Sequence, residues 1–461
     1  MPTQEERQAR WELERAGFRG ASQFATNVSW SLSSDNSLDD FVREAVLQHP
    51  AVRAAYWQWA AAVEEITLAR SLPDPQLNFE ADVANILMTF MPGLMQEWPG
   101  PGKRRAAAAM ASAESKIQFL LFQEAVLRTA WEIHAVCHRI HAIEQELSAR
   151  RHEFELLQEA GAVARLQATA NQLAWEEVYA WQRECTQVAF EIRNLEDRRI
   201  ALRTQWKTAL GLAPDQPDPP VPARIQVTPL DFNAELLWQR ALAQNPGLRR
   251  RAAEVRKAAA EQALSARAGL PDFSLGLMAD VRSAPWMWRP LAGMRLPVWQ
   301  DKLAAVRARS QARKEAASAA WQEEQLRLVA QVAEKISLYR ELTRNLQLLR
   351  DHLVPEAERV WELAQARYRS GQLDYREMVN AVRRRLNLIA QAAQVQTQRE
   401  IMVSELVLVI AGFLPAPWAD GELNALETIG FESGWPPTQK GSPPSERVSF
   451  RPSISEEWAV P

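Results

Sequence analysis

Residues 44–55 read EAVLQHPAVRAA and residues 240–251 read RALAQNPGLRRR, aligning Ala45 with Ala241 and Pro50 with Pro246. Working outward, ARSLPDPQLNF around Pro73 matches ARAGLPDFSLGL around Pro271. Lys103, which opens a long Ala-rich stretch, matches Lys302, and Gly211-Leu212 matches Gly412-Phe413. The landmarks keep their order, so the chain is two copies of one unit, and a duplicated unit dictates architecture more firmly than any local propensity.

The copies span 37–212 and 230–414. Each reads as a short helix, an extended segment (73–99, then 271–297) and a long helical hairpin. Between them, 213–229 is a Pro-rich linker whose prolines remove backbone donors and stop a helix. Residues 1–36 read as a loose extension. The Pro/Ser-rich tail 415–461 reads as irregular, with Trp418, Trp435 and Trp458 available to dock on the body.

Lys103 to Gly161 runs 58 positions without proline, and Lys302 to Gly371 runs 69 with only Pro355. At 1.5 Å per residue these are rods of roughly 87 and 104 Å. Ile133, Val136, Ile140, Ile143, Leu147, Phe154 and Leu157 fall at alternating spacings of three and four, apart from Arg150 in one slot, which is a coiled-coil seam. Leu342, Leu346, Leu349 and Leu353 repeat it. The alternative, a compact amphipathic bundle, seldom uses rods this long.

Pro73 and Pro99, like Pro271 and Pro297, stand 26 positions apart, room for two strands of about ten residues, the length of a tilted membrane strand. Leu77, Phe79, Ala81 and Val83 alternate with Asn78, Glu80 and Asp82. Phe273, Leu275, Leu277, Ala279 and Val281 alternate with Ser274, Asp280 and Arg282. One face is oily and the other largely polar, as for lipid outside and water inside. A solvent-facing hairpin packed on helices alternates equally well. Two hairpins give too few strands for a closed barrel, and lipid does not tolerate open sheet edges, so membrane strands here require several chains to pool them.

The 461 residues are 47% hydrophobic and 24% charged with a net charge of −3, which excludes wholesale disorder and a basic nucleic-acid tail. Arg249–Arg251 and Arg383–Arg385 lie among acids and read as solvated helix faces, so no nucleic-acid partner is expected. Two cysteines, Cys137 and Cys185, exclude a disulfide framework and a four-cysteine zinc site. The longest apolar stretch, Ile401–Leu414, is broken by Ser404 and Glu405 and falls short of the ~20 residues of a spanning helix.

Nothing resembles catalysis: there is no Gly-rich phosphate loop, no GxSxG elbow and no acid paired with histidine at a recognisable spacing. No cofactor is expected. His134, Cys137, His138 and His141, in HAVCHRIH, share one helical face and could ligate a divalent metal. The reading favoured is a polar helix flank with Cys137 partly buried, because no carboxylate completes a HExxH pattern. A helical metalloenzyme built on this cluster would require further ligands.

The duplicated NP-type helix (His49-Pro50, Asn245-Pro246), the PDP and PDF strand starts, PGPGK from Pro99 to Lys103 and ARYRSGQLDYREMVNA from Ala366 to Ala381 resemble the TolC family of outer-membrane efflux proteins. The resemblance covers roughly Leu38 to Leu414, and PGK is most similar to the branch serving heavy-metal and cation pumps. It implies a mostly α fold with a small β part: duplicated coiled-coil hairpins forming an α-barrel, and four strands per chain contributing to a trimeric transmembrane β-barrel.

The implied function is a passive exit duct of a tripartite efflux system, with a homotrimer in the lipid bilayer, a periplasmic adaptor and an inner-membrane pump as partners. The implied location is the outer membrane with a periplasmic extension. The first 18 residues do not read as a secretory signal, so an upstream leader or a different translated start is expected. The hairpin tips meeting the adaptor would be Gly161 with Ala162, and Arg369, Ser370, Gly371 and Gln372. The resemblance places gate residues six and nine positions after Gly371, at Glu377 and Asn380, with Asp374 beside them. A ring of Glu377 side chains would attract cations. Alternatively Asp374, Arg376 and Glu377 form a solvated helix start, where acids suit the positive dipole end. The competing class is a soluble coiled-coil scaffold.

Overall fold

The computed structural model describes residues 4–15, 32–84, 86–213, 215–223, 234–280 and 285–410. Helix α1 (Gln4–Arg15) precedes the first repeat. That repeat contains α2 (Leu38–Gln48), α3 (Pro50–Arg70), β1 (Gln76–Ala84), β2 (Ile86–Trp98), α4 (Lys103–Thr169) and α5 (Trp175–Ala209). The second contains α6 (Ala234–Gln244), α7 (Pro246–Ala266), β3 (Asp272–Asp280), β4 (Met287–Arg295), α8 (Gln300–Gln347), a π-helical segment (Leu348–Leu353), α9 (Val354–Arg369) and α10 (Tyr375–Ile410).

Local chemistry sets these boundaries. Ser37 and Asp40 form a capping box that starts α2. Pro50 and Pro246 occupy the first turns of α3 and α7, where the missing N–H costs nothing, and His49 and Asn245 cap them by accepting from Ala51 N and Leu248 N. An X-Pro step thus breaks one helix and starts the next in both repeats.

The rods are nearly equal in length. The first, α4, is one helix of 67 residues, roughly 100 Å, reaching Thr169 rather than ending at Gly161. The second is divided into 48, 6 and 16 residues. The expected seam is buried at Ile133, Val136, Ile140, Ile143, Leu147 and Leu157, and again at Leu342, Leu346 and Leu349. Laterally the layer runs α5, α4, α10, then α8 with α9.

The core is a chain of clusters along these rods. Near the strands, Trp59 stacks on Phe122 at 5.7 Å between ring centroids. Midway, Phe41 and Trp206 pack with Ile133, Cys137 and Ile140, while Leu328, Val332, Tyr339 and Leu406 hold the second repeat. Toward the tips, Leu157, Ala164, Val178 and Val379 join both repeats.

Two segments depart from expectation. The extension is ordered over α1: Glu6 is buried against Arg70 at 3.0 Å, and Ala9 and Leu13 pack on the α3–α4 core. The linker residues 215–223 dock on α5 and on the segment before α2, through bonds from Trp206 Nε1 to the Pro220 carbonyl (3.1 Å) and from Ala223 N to the Ser34 carbonyl (2.8 Å). The tail from 415 lies outside the described residues.

Candidate functional site

The four strands form one antiparallel sheet in the order β1-β2-β3-β4. Register sets the faces: Leu77 pairs with Leu94, Leu94 with Leu277 and Leu277 with Pro290. Leu77, Phe79, Leu94, Phe273, Leu275 and Leu277 are exposed on one face, an apolar patch with no layer packed over it among the described residues. Ala279 shares that parity but is buried; its cross-strand partner is Trp288, and it lines a hollow with Trp286 and Trp288. Ala81 and Val83 lie in β1, and Val281 falls outside the described residues.

PGPGK is the elbow joining sheet to rod. Gly100 N and Lys103 Nζ both donate to Asp272 Oδ1, at 2.7 and 2.8 Å, tying the end of β2 to the start of β3. A Cβ on Gly100 would lie 2.5 Å from the Pro271 carbonyl oxygen, and Gly102, at φ 76°, precedes the first helical residue in the left-handed region. The motif is therefore a packing requirement with a charge clamp.

The tips are built alike. Gly371 has φ 73°, with Gln372 N donating to the Arg367 carbonyl at 2.9 Å; Asn171 has φ 53°, with Gln172 N donating to the Gln167 carbonyl at 2.9 Å. Both are Schellman-type helix ends. The first tip is thus Asn171-Gln172-Leu173, the counterpart of Gly371-Gln372-Leu373. Gly161 and Ala162 lie inside α4, more than two turns short of it. Asn171 serves because asparagine tolerates the left-handed region better than most residues.

Asp374, Glu377 and Asn380 follow the second tip at spacings of three and are all exposed, while Val379 is fully buried against the first hairpin. A polar stripe is therefore presented on a helix whose other side is anchored. The anchor is ionic as well as apolar. Arg383 Nε donates to Glu153 Oε1 at 2.6 Å and its Nη1 to Glu184 Oε2 at 2.8 Å, while Arg150 Nη1 reaches Glu153 Oε2 at 2.6 Å. Arg376 lies 3.8 Å from Glu177.

Arg383 and Arg385 are thus half-buried ties between helices rather than solvated faces; Arg385 donates to Glu358 at 2.9 Å, and only Arg384 of the three is exposed. Arg250 and Arg251 pair with Glu254 within α7, and Arg250 also lies 3.8 Å from Glu124 of α4.

Residues 237–412 match the model of the family described as outer membrane efflux protein. The second repeat belongs to the outer membrane efflux protein family. Comparison with curated protein sequences gives no match. The fold of the whole chain is that of TolC-type channels. It is similar to the outer membrane protein VceC of Vibrio cholerae (15% identity, 81% of this chain, 95% of that chain, TM-score 0.66). It is also similar to the outer membrane channels CmeC of Campylobacter jejuni (12%, 84%, 90%, 0.70) and MtrE of Neisseria gonorrhoeae (14%, 84%, 93%, 0.68). The matched family is described as outer membrane efflux proteins, and the matched structures are outer-membrane proteins and channels.

The histidine cluster is core, not a polar flank. His134, Cys137 and His138 are buried, and His141 Nε2 donates to the Pro222 carbonyl at 2.7 Å. Burial, with each ring's histidine neighbour adding to it, lowers His134 to a pKa of about 3 and His138 to about 4, and burial pushes the Cys137 thiol up to about 12. Cys137 packs in an apolar cluster with Phe41 and Trp206. Among the described residues no group of three His, Cys, Asp or Glu is arranged to hold a metal ion. No described helix is long and apolar enough to cross a membrane.

Proposed function

We propose that this protein is the outer-membrane exit duct of a tripartite efflux or export system. Three copies pool their strands into one transmembrane barrel and their hairpins into a helical tunnel through the periplasm. Cargo arrives from an inner-membrane pump through a periplasmic adaptor, and the duct itself neither makes nor breaks bonds.

The observation that carries this reading is that sheet and helical layer both end in open edges. Among the described residues β1 and β4 each have a partner on one side only. Lipid does not tolerate unpaired strand edges, so a sheet with an oily outer face closes only by joining other copies. The helical layer likewise ends in α5 and in α8–α9, which expose Tyr179, Phe190 and Ile200 on one side and Leu326, Leu348 and Leu363 on the other. Apolar residues on both outer helices suit a ring in which one copy's α5 meets the next copy's α8–α9.

At the far end, Asn171–Leu173 and Arg369–Gln372 are the surfaces offered to the adaptor. Glu377, with Asp374 beside it, forms a cation-attracting constriction; Asn380 supplies an uncharged ring. The ties from Arg383 and Arg376 hold the second hairpin closed against the first.

Membrane fractionation followed by planar-bilayer recording tests the reading. The protein should pellet with membranes, require detergent for extraction and conduct ions after reconstitution. Recovery in the soluble fraction with no conductance favours the coiled-coil scaffold instead.

A further inference from the structure

The two rods are copies, and their buried positions keep step down to one point. Ile133 aligns with Val332, Ile143 with Leu342 and Leu147 with Leu346, each pair buried and 199 positions apart. Below, Leu157 aligns with Ala357 and Ala164 with Ala364, also buried, but 200 positions apart, as are Gln172 and Gln372 at the tips. The second rod therefore has one more residue between Leu346 and Ala357 than the first has between Leu147 and Leu157. The π-helical segment Leu348–Leu353 lies inside that window, whereas α4 passes the corresponding level unbroken.

An extra residue in an α-helix would rotate everything beyond it by about 100°. A π turn takes the residue in and spares that rotation, at the expense of wider, weaker i→i+5 bonding. Pro355 follows at once and has no N–H to bond the Asp351 carbonyl. The weakest backbone bonding of the rod is thus gathered within Leu348–Pro355.

This stretch separates two anchored pieces. Above it, α8 is held to α10 by Lys335 on Glu405 and by Arg399 Nη2 donating to the Tyr339 hydroxyl at 2.9 Å. Below it, α9 is held to α10 by Arg385, which donates to Glu358 at 2.9 Å and lies 4.9 Å over the Trp361 ring. At the stretch itself Arg350 donates to the neutral Gln396 amide oxygen at 2.5 Å, an exposed contact.

We infer that Leu348–Leu353 is a hinge created by a one-residue insertion, about which α9 and the tip at Gly371 move while the unbroken α4 stays straight. The inference deepens the gate reading above and rests on the tips closing the duct.

Hydrogen exchange on the full-length protein in detergent tests the hinge without reference to transport. Amides of 348–354 should exchange about tenfold faster or more than those of 149–155 in α4, since local opening sets exchange. Deleting the exposed Asp351 restores the spacing of the first rod and should cut that difference to about threefold or less. Pro355→Ala keeps the length and regains one bond; it should slow exchange partway, and it decides the matter if the deletion does not assemble. Equal protection of the two rods in the wild type, or fast exchange that persists in both variants, overturns the hinge. In planar bilayers the deletion should slow open–closed transitions. A variant with slowed exchange and wild-type transitions overturns the role in gating, whereas absence of any current from the wild type counts against the duct reading.

Discussion

Arg383 Nε donates to Glu153 Oε1 at 2.6 Å, joining the second hairpin to the first across a contact in which the carboxylate is 1% exposed. Glu153 also accepts from Arg150 at 2.6 Å, so one buried acid balances two half-exposed cations. Removing it takes one of two acidic partners from each guanidinium, Arg383 keeping Glu184 and Arg150 keeping Glu191, while sparing the surrounding apolar cluster of Leu157, Val178 and Val379. The pair is thus a point at which hairpin adhesion can be changed without emptying the core.

Glu153→Ala should destabilise the assembled protein by about 2 kcal/mol, less than a fully buried pair would lose because the arginines retain some solvent. Thermal unfolding in detergent reads this directly. In a bilayer the variant should dwell longer in its open level than the wild type; unchanged dwell times would separate the tie from the gate.

The tips give a second pair of outcomes. Asn171 carries positive φ on a non-glycine residue, so Asn171→Gly should be neutral or stabilise by several tenths of a kcal/mol. Gly371→Ala should cost about 1 kcal/mol through backbone conformation alone, since no atom stands within 4 Å of the added carbon. Limited proteolysis at the two tips should move in opposite directions.

Gly100→Ala should act through a clash instead. Its Cβ would stand 2.5 Å from the Pro271 carbonyl oxygen, at the point where Asp272 clamps Gly100 N and Lys103. The elbow cannot yield without moving the start of β3. The fraction of protein running as a heat-sensitive oligomer on a semi-native gel should fall sharply, while far-UV helicity stays within a few per cent.

The buried histidines set a pH limit. His134 and His138 have folded pKa values of about 3 and 4 against an ordinary 6.5, so their contribution to stability is complete above pH 6.5 and is lost as pH falls toward those values. At pH 5 each site should cost about 2 kcal/mol. Urea unfolding of the detergent-solubilised protein from pH 7.5 to 4.5 should show this decline, and His134→Leu with His138→Leu should flatten it.

Much of the architecture was legible because duplication leaves marks that folding cannot blur. His49-Pro50 and Asn245-Pro246 separate helices in both copies, and the alternation from Leu77 and from Phe273 appears as exposed apolar positions of one sheet. The first tip was not legible from glycine. A turn needs a left-handed residue, which Asn171 supplies, and the aligned strings NQLA and GQLD carried the signal that Gly161 did not. Glu153 was hidden for another reason. Polar residues in a helix read as solvated until the partner helix is known, and Arg383 lies 230 positions away. The histidines misled by the same route, since Cys137 among them packs on α2 and α5 and His141 bonds to the docked linker.

The most direct test of the central claim is an electron cryomicroscopy reconstruction of the detergent-purified particle. The particle should be a threefold tapered cylinder with a short barrel at one end and helical walls extending roughly 100 Å beyond it. A monomer, or an assembly in which β1 of one copy does not meet β4 of the next, would contradict it.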